Sequence, residues 1–161
     1  MLEWLGMTPY SEWVKTSWGW AFALTLHAFG NAIVVGLMFI IGLRLWGFFR
    51  TIPYPSLRKL FPFIWAGVVC QAYSGPTLWM TKPARYVYDW VFDTKFTLVV
   101  IGIVLTVLFQ KTLIREAADW QANGAVSKRG MRLVTAACVV WAFVIIMGRL
   151  TAYLGSLYNT N

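Results

Sequence analysis

Charged residues are scarce in this chain of 161 residues, at 12% of the sequence. A soluble domain would carry about twice that fraction. Hydrophobic residues make up 59% and aromatic residues 17%, and a small globule cannot bury so much apolar surface because much of its area stays exposed. The composition therefore excludes a soluble enzyme, a free nucleic-acid-binding domain and a disordered tail, and it predicts that lipid surrounds most of the chain.

Histidine and cysteine are also scarce. The chain has one histidine, His27, and two cysteines, Cys70 and Cys138, which both fall inside apolar runs. No Cys-x-x-Cys motif or Cys/His cluster is present, so a structural metal site is not expected. A single histidine excludes two bis-histidine haems in one chain and leaves a serine nucleophile with one candidate base. An enzyme is therefore the least expected class of protein.

Four long apolar runs are present, separated by polar or basic segments. A helix of about 20 residues crosses a hydrocarbon core of about 30 Å, and these runs lack the alternation typical of the strands of a membrane barrel. The sequence predicts an all-α fold, an integral membrane four-helix bundle that forms one membrane domain over residues 1–161. The expected spans cover residues 18–43, 60–80, 94–113 and 132–154.

Residues 1–17 precede the first run and are predicted to lie at the membrane interface. Thr8 is suited to cap a short helix whose first position is Pro9. Tryptophans are common at the depth of lipid headgroups, and several flank this segment: Trp4, Trp13, Trp18 and Trp20.

The distribution of basic residues predicts the orientation. With both termini outside, nine of the 14 lysines and arginines lie on the inner side and five on the outer side. The positive-inside rule then favours an N-out, C-out arrangement in a bacterial inner membrane. The net charge of +8 is explained by topology without a nucleic-acid partner, although inner basic residues could also bind anionic headgroups. The inner set is Arg44, Arg50, Arg58, Lys59, Lys111, Arg115, Lys128, Arg129 and Arg132, and the outer set is Lys15, Lys82, Arg85, Lys95 and Arg149.

Polar residues within or beside the apolar runs are the candidate site residues. By their depth they are expected to meet in the outer half of the bundle, where ionisable residues face the interior or a wet cavity. The alternative is structural: His27 hydrogen-bonds Gln71 or a backbone carbonyl to lock the helices, while Lys95 and Arg149 extend to the outer surface. The candidates are His27, Asn31, Gln71, Ser74, Lys95, Arg149 and Tyr153.

Small residues line the first run beside His27, at Ala28, Ala32 and Gly36. Such a stripe lets another helix approach closely. Besides the lipid bilayer, the expected partners are therefore copies of this chain or other membrane subunits.

A lone membrane histidine has several possible ligands. His27 could be the axial ligand of a haem iron, with Lys95 and Arg149 neutralising the propionates. It could bind the magnesium of a chlorophyll-type pigment, or hydrogen-bond a quinone. The expected function is a non-catalytic membrane subunit of an oligomer or of a larger energy-converting or electron-transfer complex, with a polar cluster that holds haem, quinone, pigment or lipid. The alternative is a small oligomeric transporter or channel.

Short motifs in the chain resemble an uncharacterised family of small bacterial four-helix inner-membrane proteins. The most specific one is the closing Gly-Arg-x-x-Ala-Tyr signature, which ends at Tyr153. The resemblance implies a four-span fold and draws attention to His27, Lys95 and Arg149, but it implies no established activity. The other matching stretches are Leu26-His27-Ala28, Gly42-Leu43-Arg44-Leu45, Phe61-Pro62-Phe63-Ile64-Trp65 and Phe92-Asp93-Thr94-Lys95.

Overall fold

The structure is a computed structural model that describes residues 3–81, 83 and 90–157. The side chains of Glu3 and of residues 152–157 lie outside this description, as do Lys82, Arg85 and residues 158–161. All regular elements in the described part are helical. Two 3₁₀ helices cover Glu3–Met7 and Tyr54–Leu60, and the α-helices are α1 (Pro9–Thr16), α2 (Gly19–Leu45), α3 (Phe61–Thr81), α4 (Trp90–Asn123) and α5 (Lys128–Leu157).

The short helix α1 begins where the sequence predicts. The Thr8 side chain accepts a hydrogen bond from the backbone N–H of Ser11 at 3.2 Å, and Pro9 occupies the first turn. This cap satisfies one of the backbone donors that a helix leaves free at its start. Val14 is buried, whereas Trp13 and Trp18 are exposed. The cap and the exposed tryptophans agree with a helix that lies along an interface.

Three of the long helices are long and apolar enough to cross a membrane, at Gly19–Leu45, Trp90–Asn123 and Lys128–Thr151. Their ranges contain the first, third and fourth predicted spans almost entirely. Helix α3 matches the second predicted span within one residue at each end, but it is not one of these three helices, and Gln71, Ser74 and Thr77 interrupt its apolar sequence. Helix α4 extends beyond residue 113 as an amphipathic helix with Ala117 and Trp120 on its buried face.

The four long helices associate as two intimate pairs, α2 with α3 and α4 with α5. In the first pair, a Cβ at Gly30 would lie 2.9 Å from the Gly67 carbonyl oxygen, so the two backbones touch at these glycines. In the second pair, the Trp141 ring packs on Gly102 and its Nε1–H donates to Thr106 Oγ1 at 3.1 Å. Close backbone approach at small residues is typical of helix packing in membranes.

The buried apolar core occupies only one half of the bundle, in which α2 and α4 end and α3 and α5 begin. We call it the core half. Met38, Ile41, Phe61 and Phe109 are completely buried there or nearly so. The core contains no residue of α2 before Val34 and none of α4 before residue 109 or of α5 beyond residue 144.

The opposite half, called the polar half below, contains His27, Ser74 and Lys95. Because the apolar core that joins the two helix pairs stops before it, the imidazole of His27 stays half-buried in this half. The stripe of Ala28, Ala32 and Gly36 is exposed, and a Cβ at Gly36 would meet no atom within 4 Å. This side of α2 is therefore uncovered in the isolated chain.

Candidate functional site

His27 on α2 faces Ser74 on α3, with 2.9 Å between Nδ1 and the serine Oγ. The Ser74 hydroxyl donates its single proton to the Cys70 carbonyl oxygen at 2.7 Å, a common bond for a serine inside a helix. Since that proton is committed, Nδ1 of His27 is the donor to Ser74. A neutral imidazole has one N–H, so Nε2 of His27 carries a free lone pair.

Gly75 lies beside the imidazole. It follows Ser74, and a Cβ placed there would contact only Cε1 of His27, at 3.8 Å. Cε1 lies between the two ring nitrogens, so a larger side chain at this position would pack against the imidazole. No hydrogen bond to Nε2 is present among the described residues.

One helical turn along α2, Asn31 and Gln71 form a second polar pair. Nε2 of Gln71 donates to Oδ1 of Asn31 at 2.6 Å. The expected bond from His27 to Gln71 is therefore replaced by two parallel pairs, His27 with Ser74 and Gln71 with Asn31. The reason is the antiparallel register of α2 and α3, which places each residue of α2 opposite a specific residue of α3.

Lys95 approaches this cluster from the other helix pair. It is half-buried near the start of α4, and a Cβ at Gly148 of α5 would lie 3.5 Å from Lys95 Nζ. Its ammonium is close enough to His27 to act on the imidazole electrostatically. Within the described part of the chain, Lys95 has no ion pair, since the single one links Lys15 to Glu12. The polar half thus contains a cation that pairs with no described carboxylate.

Arg149 does not join the cluster. Its side chain is exposed and has no hydrogen bond to a described residue. The reason is helix rotation: Gly148, one position earlier, faces Lys95, and consecutive residues of a helix point about 100° apart. Tyr153 lies on α5, but its side chain is outside the described residues.

The arrangement offers a neutral nitrogen ligand and a cation to one molecule. The Nε2 lone pair can bind a metal ion or accept a proton, and Lys95 can pair with an anionic group a few ångströms away. No group of three or more His, Cys, Asp or Glu suited to a metal ion occurs among the described residues. A metal at Nε2 would therefore have to arrive with most of its own ligands.

The sequence predicts Arg44 as one of the basic residues of the inner side, but the structure buries it. Its guanidinium carbon lies 3.9 Å from the centroid of the Tyr54 ring, and only 5% of the residue is exposed. The sequence does contain a sign of this burial, because Arg44 lies one turn after the apolar residue Ile41 on the same face of the helix.

Comparisons with protein-family models, curated proteins and solved structures gave no match to this chain.

Proposed function

We propose that this chain is a non-catalytic integral membrane subunit that holds a tetrapyrrole, either haem or a chlorophyll-type pigment, through Nε2 of His27. The observation that supports this proposal is the bond from His27 Nδ1 to Ser74 Oγ, at 2.9 Å. Histidines that ligate a metal usually donate their other ring N–H to a nearby acceptor, which fixes the tautomer and the ring orientation. A tetrapyrrole supplies the four other ligands that the chain lacks.

Lys95 supports the same assignment through charge. A half-buried ammonium without a counter-ion is costly in a membrane, and the acidic substituents of a macrocycle would neutralise it. Lys95 belongs to α4 and is close enough to His27 on α2 to act on the imidazole electrostatically. A ring ligated by His27 would therefore extend across the polar half towards α4 and fill the region from which the apolar core is missing.

The hydrogen-bond donors of the site suit a quinone less well than they suit a tetrapyrrole. A quinone carbonyl needs a hydrogen-bond donor, but the N–H of His27 is already committed to Ser74, and Nε2 can only accept. Asn31 and Gln71 are likewise engaged with each other. The donors left for a quinone would be Lys95 and the amide N–H groups of Asn31 and Gln71 that this bond does not use, and none of them belongs to the histidine.

The membrane arrangement forms part of the proposal. We place all four long helices across a bacterial inner membrane, with both termini outside. Helix α3 has 21 residues, so it is about 31 Å long and matches the hydrocarbon thickness. Its polar side chains need not face lipid, because Ser74 and Gln71 bond to α2.

A partner subunit is proposed on two grounds. One chain offers one imidazole, so a bis-histidine haem would need a second chain. The exposed stripe of Ala28, Ala32 and Gly36 would let another helix approach α2 closely. We propose a homo-oligomer or a larger electron-transfer complex. The resemblance to the small four-helix membrane proteins agrees with this proposal and adds no activity to it.

The packed interior of the core half gives less support to the alternative that the chain is a transporter. The core half is filled by Met38, Ile41, Phe61 and Phe109, all at most 1% exposed. A polar solute that moved through a single chain would have to cross this apolar layer. A path between copies of the chain would avoid it.

The direct test is to purify the protein from membranes in a mild detergent, record its visible spectrum and identify what organic solvent extracts. We expect a Soret band in the wild type and its loss in His27→Ala. Arg149→Gln is the matched control, because that side chain is exposed and unpaired, and it should keep the band. A quinone in the extract without a Soret band would replace the tetrapyrrole assignment, and a colourless protein without extractable cofactor would contradict it.

A further inference from the structure

The core half ends in a cavity beneath the last turn of α2. Its volume is about 420 Å³. Arg44 and Arg50 both line it, and none of its lining residues is acidic. The other lining residues are Leu45, Trp46, Gly47, Tyr54, Gln121, Gly124, Val126 and Met131.

Arg44 is held rigidly at this cavity. Its Nε donates to the Ile52 carbonyl oxygen and its Nη2 to that of Arg50 at 3.4 Å. Its guanidinium also stacks on the Tyr54 ring, and Tyr54 is itself fixed because its backbone N–H donates to Gln121 at 3.0 Å. The orientation of the guanidinium is therefore set before any ligand binds.

The charge of Arg44 is not neutralised by any described residue. A guanidinium has five N–H donors, and two of them are used in these bonds. Among the described residues no carboxylate pairs with Arg44, since the single ion pair is far away in the sequence, between Lys15 and Glu12. Burying a charge is costly unless an opposite charge or enough hydrogen bonds compensate it.

Arg50 is the second cation of the cavity, and it is exposed. Its Nε donates to the Gly47 carbonyl oxygen at 3.1 Å, in the turn where Gly47 has a φ of +103°. The turn thus folds Arg50 back towards the end of α2. Two guanidinium groups at one cavity match the geometry of a phosphate, which accepts paired N–H bonds.

We propose that this cavity binds the phosphate of an anionic phospholipid. Free phosphate has the same chemistry, but the surroundings favour a lipid. The site lies at the end of an apolar helix that is long enough to span a membrane. Phe48 and Phe49 lie beside it with 59% and 55% of their surface exposed, so acyl chains can cover them. Lys59, a further basic residue of this half, adds attraction for a lipid with net negative charge.

The test is native mass spectrometry of the detergent-solubilised full chain, titrated separately with phosphatidylglycerol, phosphatidylcholine and inorganic phosphate. We expect one phosphatidylglycerol per chain that survives activation, with weaker retention of phosphatidylcholine. Loss of one charge-assisted contact should weaken binding about tenfold. Arg50→Gln is the main variant because Arg50 is exposed, and Arg44→Gln is the second. Arg58→Gln, an exposed arginine outside the cavity, is the control.

If inorganic phosphate bound most tightly of the three ligands, the occupant of the cavity would be a soluble anion and not a lipid. Equal binding of phosphatidylglycerol by the wild type, Arg50→Gln and Arg58→Gln would overturn the site. If Arg44→Gln fails to fold, the comparison of Arg50→Gln with Arg58→Gln still decides the proposal.

Discussion

The Nδ1 atom of His27 lies 2.9 Å from the Ser74 hydroxyl, which in turn donates to the Cys70 carbonyl at 2.7 Å. This short chain of hydrogen bonds fixes the neutral tautomer of the only histidine in the sequence. It also leaves Nε2 without a hydrogen bond to any described residue. The proposed role of the chain as a cofactor-binding subunit depends on this relationship.

Ser74→Ala should weaken cofactor binding without abolishing it. The substitution removes the acceptor of the His27 N–H but leaves the Nε2 ligand, and loss of such an outer contact typically costs about 10- to 100-fold in affinity. A haem titration followed at the Soret band measures the change. Thr77→Ala is the matched control, because Thr77 is a buried hydroxyl one turn later that bonds Tyr10 and the Tyr73 carbonyl. Equal effects of the two variants would show that the helix pair, and not the histidine, is being perturbed.

Lys95→Met should reduce the affinity for a macrocycle with free carboxylates about tenfold, because one charge-assisted contact is lost. Binding of the corresponding dimethyl ester should not change, since an ester carries no charge for Lys95 to neutralise. Lys95→Arg should retain most of the affinity for the free acid. If Lys95→Met weakened the acid and the ester equally, Lys95 would support the fold rather than the ligand.

Gly30→Ala should destabilise the protein by about 1–3 kcal/mol, the typical cost of overpacking. The new methyl group would lie 2.9 Å from the Gly67 carbonyl oxygen, and backbone cannot move aside cheaply. Gly36→Ala lies on the same helix but meets no atom within 4 Å, so it should be neutral or slightly stabilising. Thermal unfolding in detergent compares the two, and similar melting temperatures would argue against the close contact of α2 and α3.

Labelling with a membrane-impermeant maleimide tests whether α3 crosses the bilayer. Single cysteines are introduced by Ser17→Cys or Ala125→Cys in a chain that also carries Cys70→Ala and Cys138→Ala. Both added sites are exposed. In intact cells we expect labelling at position 17 only, with position 125 reacting after permeabilisation. Labelling of position 125 in intact cells would mean that an even number of crossings separates it from position 17, and α3 would then not span the membrane.

Much of the fold is predictable because it depends on local chemistry. Thr8 and Pro9 indicate where α1 begins, since capping involves residues that are neighbours in sequence. The long helices follow from apolar runs bounded by basic or turn-forming residues. Helix α4 continues beyond the expected span to Asn123, and its amphipathic part buries Ala117 and Trp120.

The candidate site was less predictable because it depends on how helices rotate and align. In the structure, His27, Ser74 and Lys95 lie in the same half. The register of α2 against α3 decided that His27 bonds Ser74 instead of Gln71, and the rotation of α5 turned Arg149 outwards. Neither the register nor the rotation can be predicted from one sequence, because packing between distant segments determines both.

The most direct test of the proposed role is the spectrum of haem-loaded His27→Ala, recorded with and without added imidazole. The small side chain leaves a space at the ligand position, which free imidazole can fill. We predict that His27→Ala loses the ligated Soret band and that imidazole restores it at a concentration that leaves the wild type unchanged. A band of unchanged position and intensity in His27→Ala without imidazole would contradict axial ligation by His27.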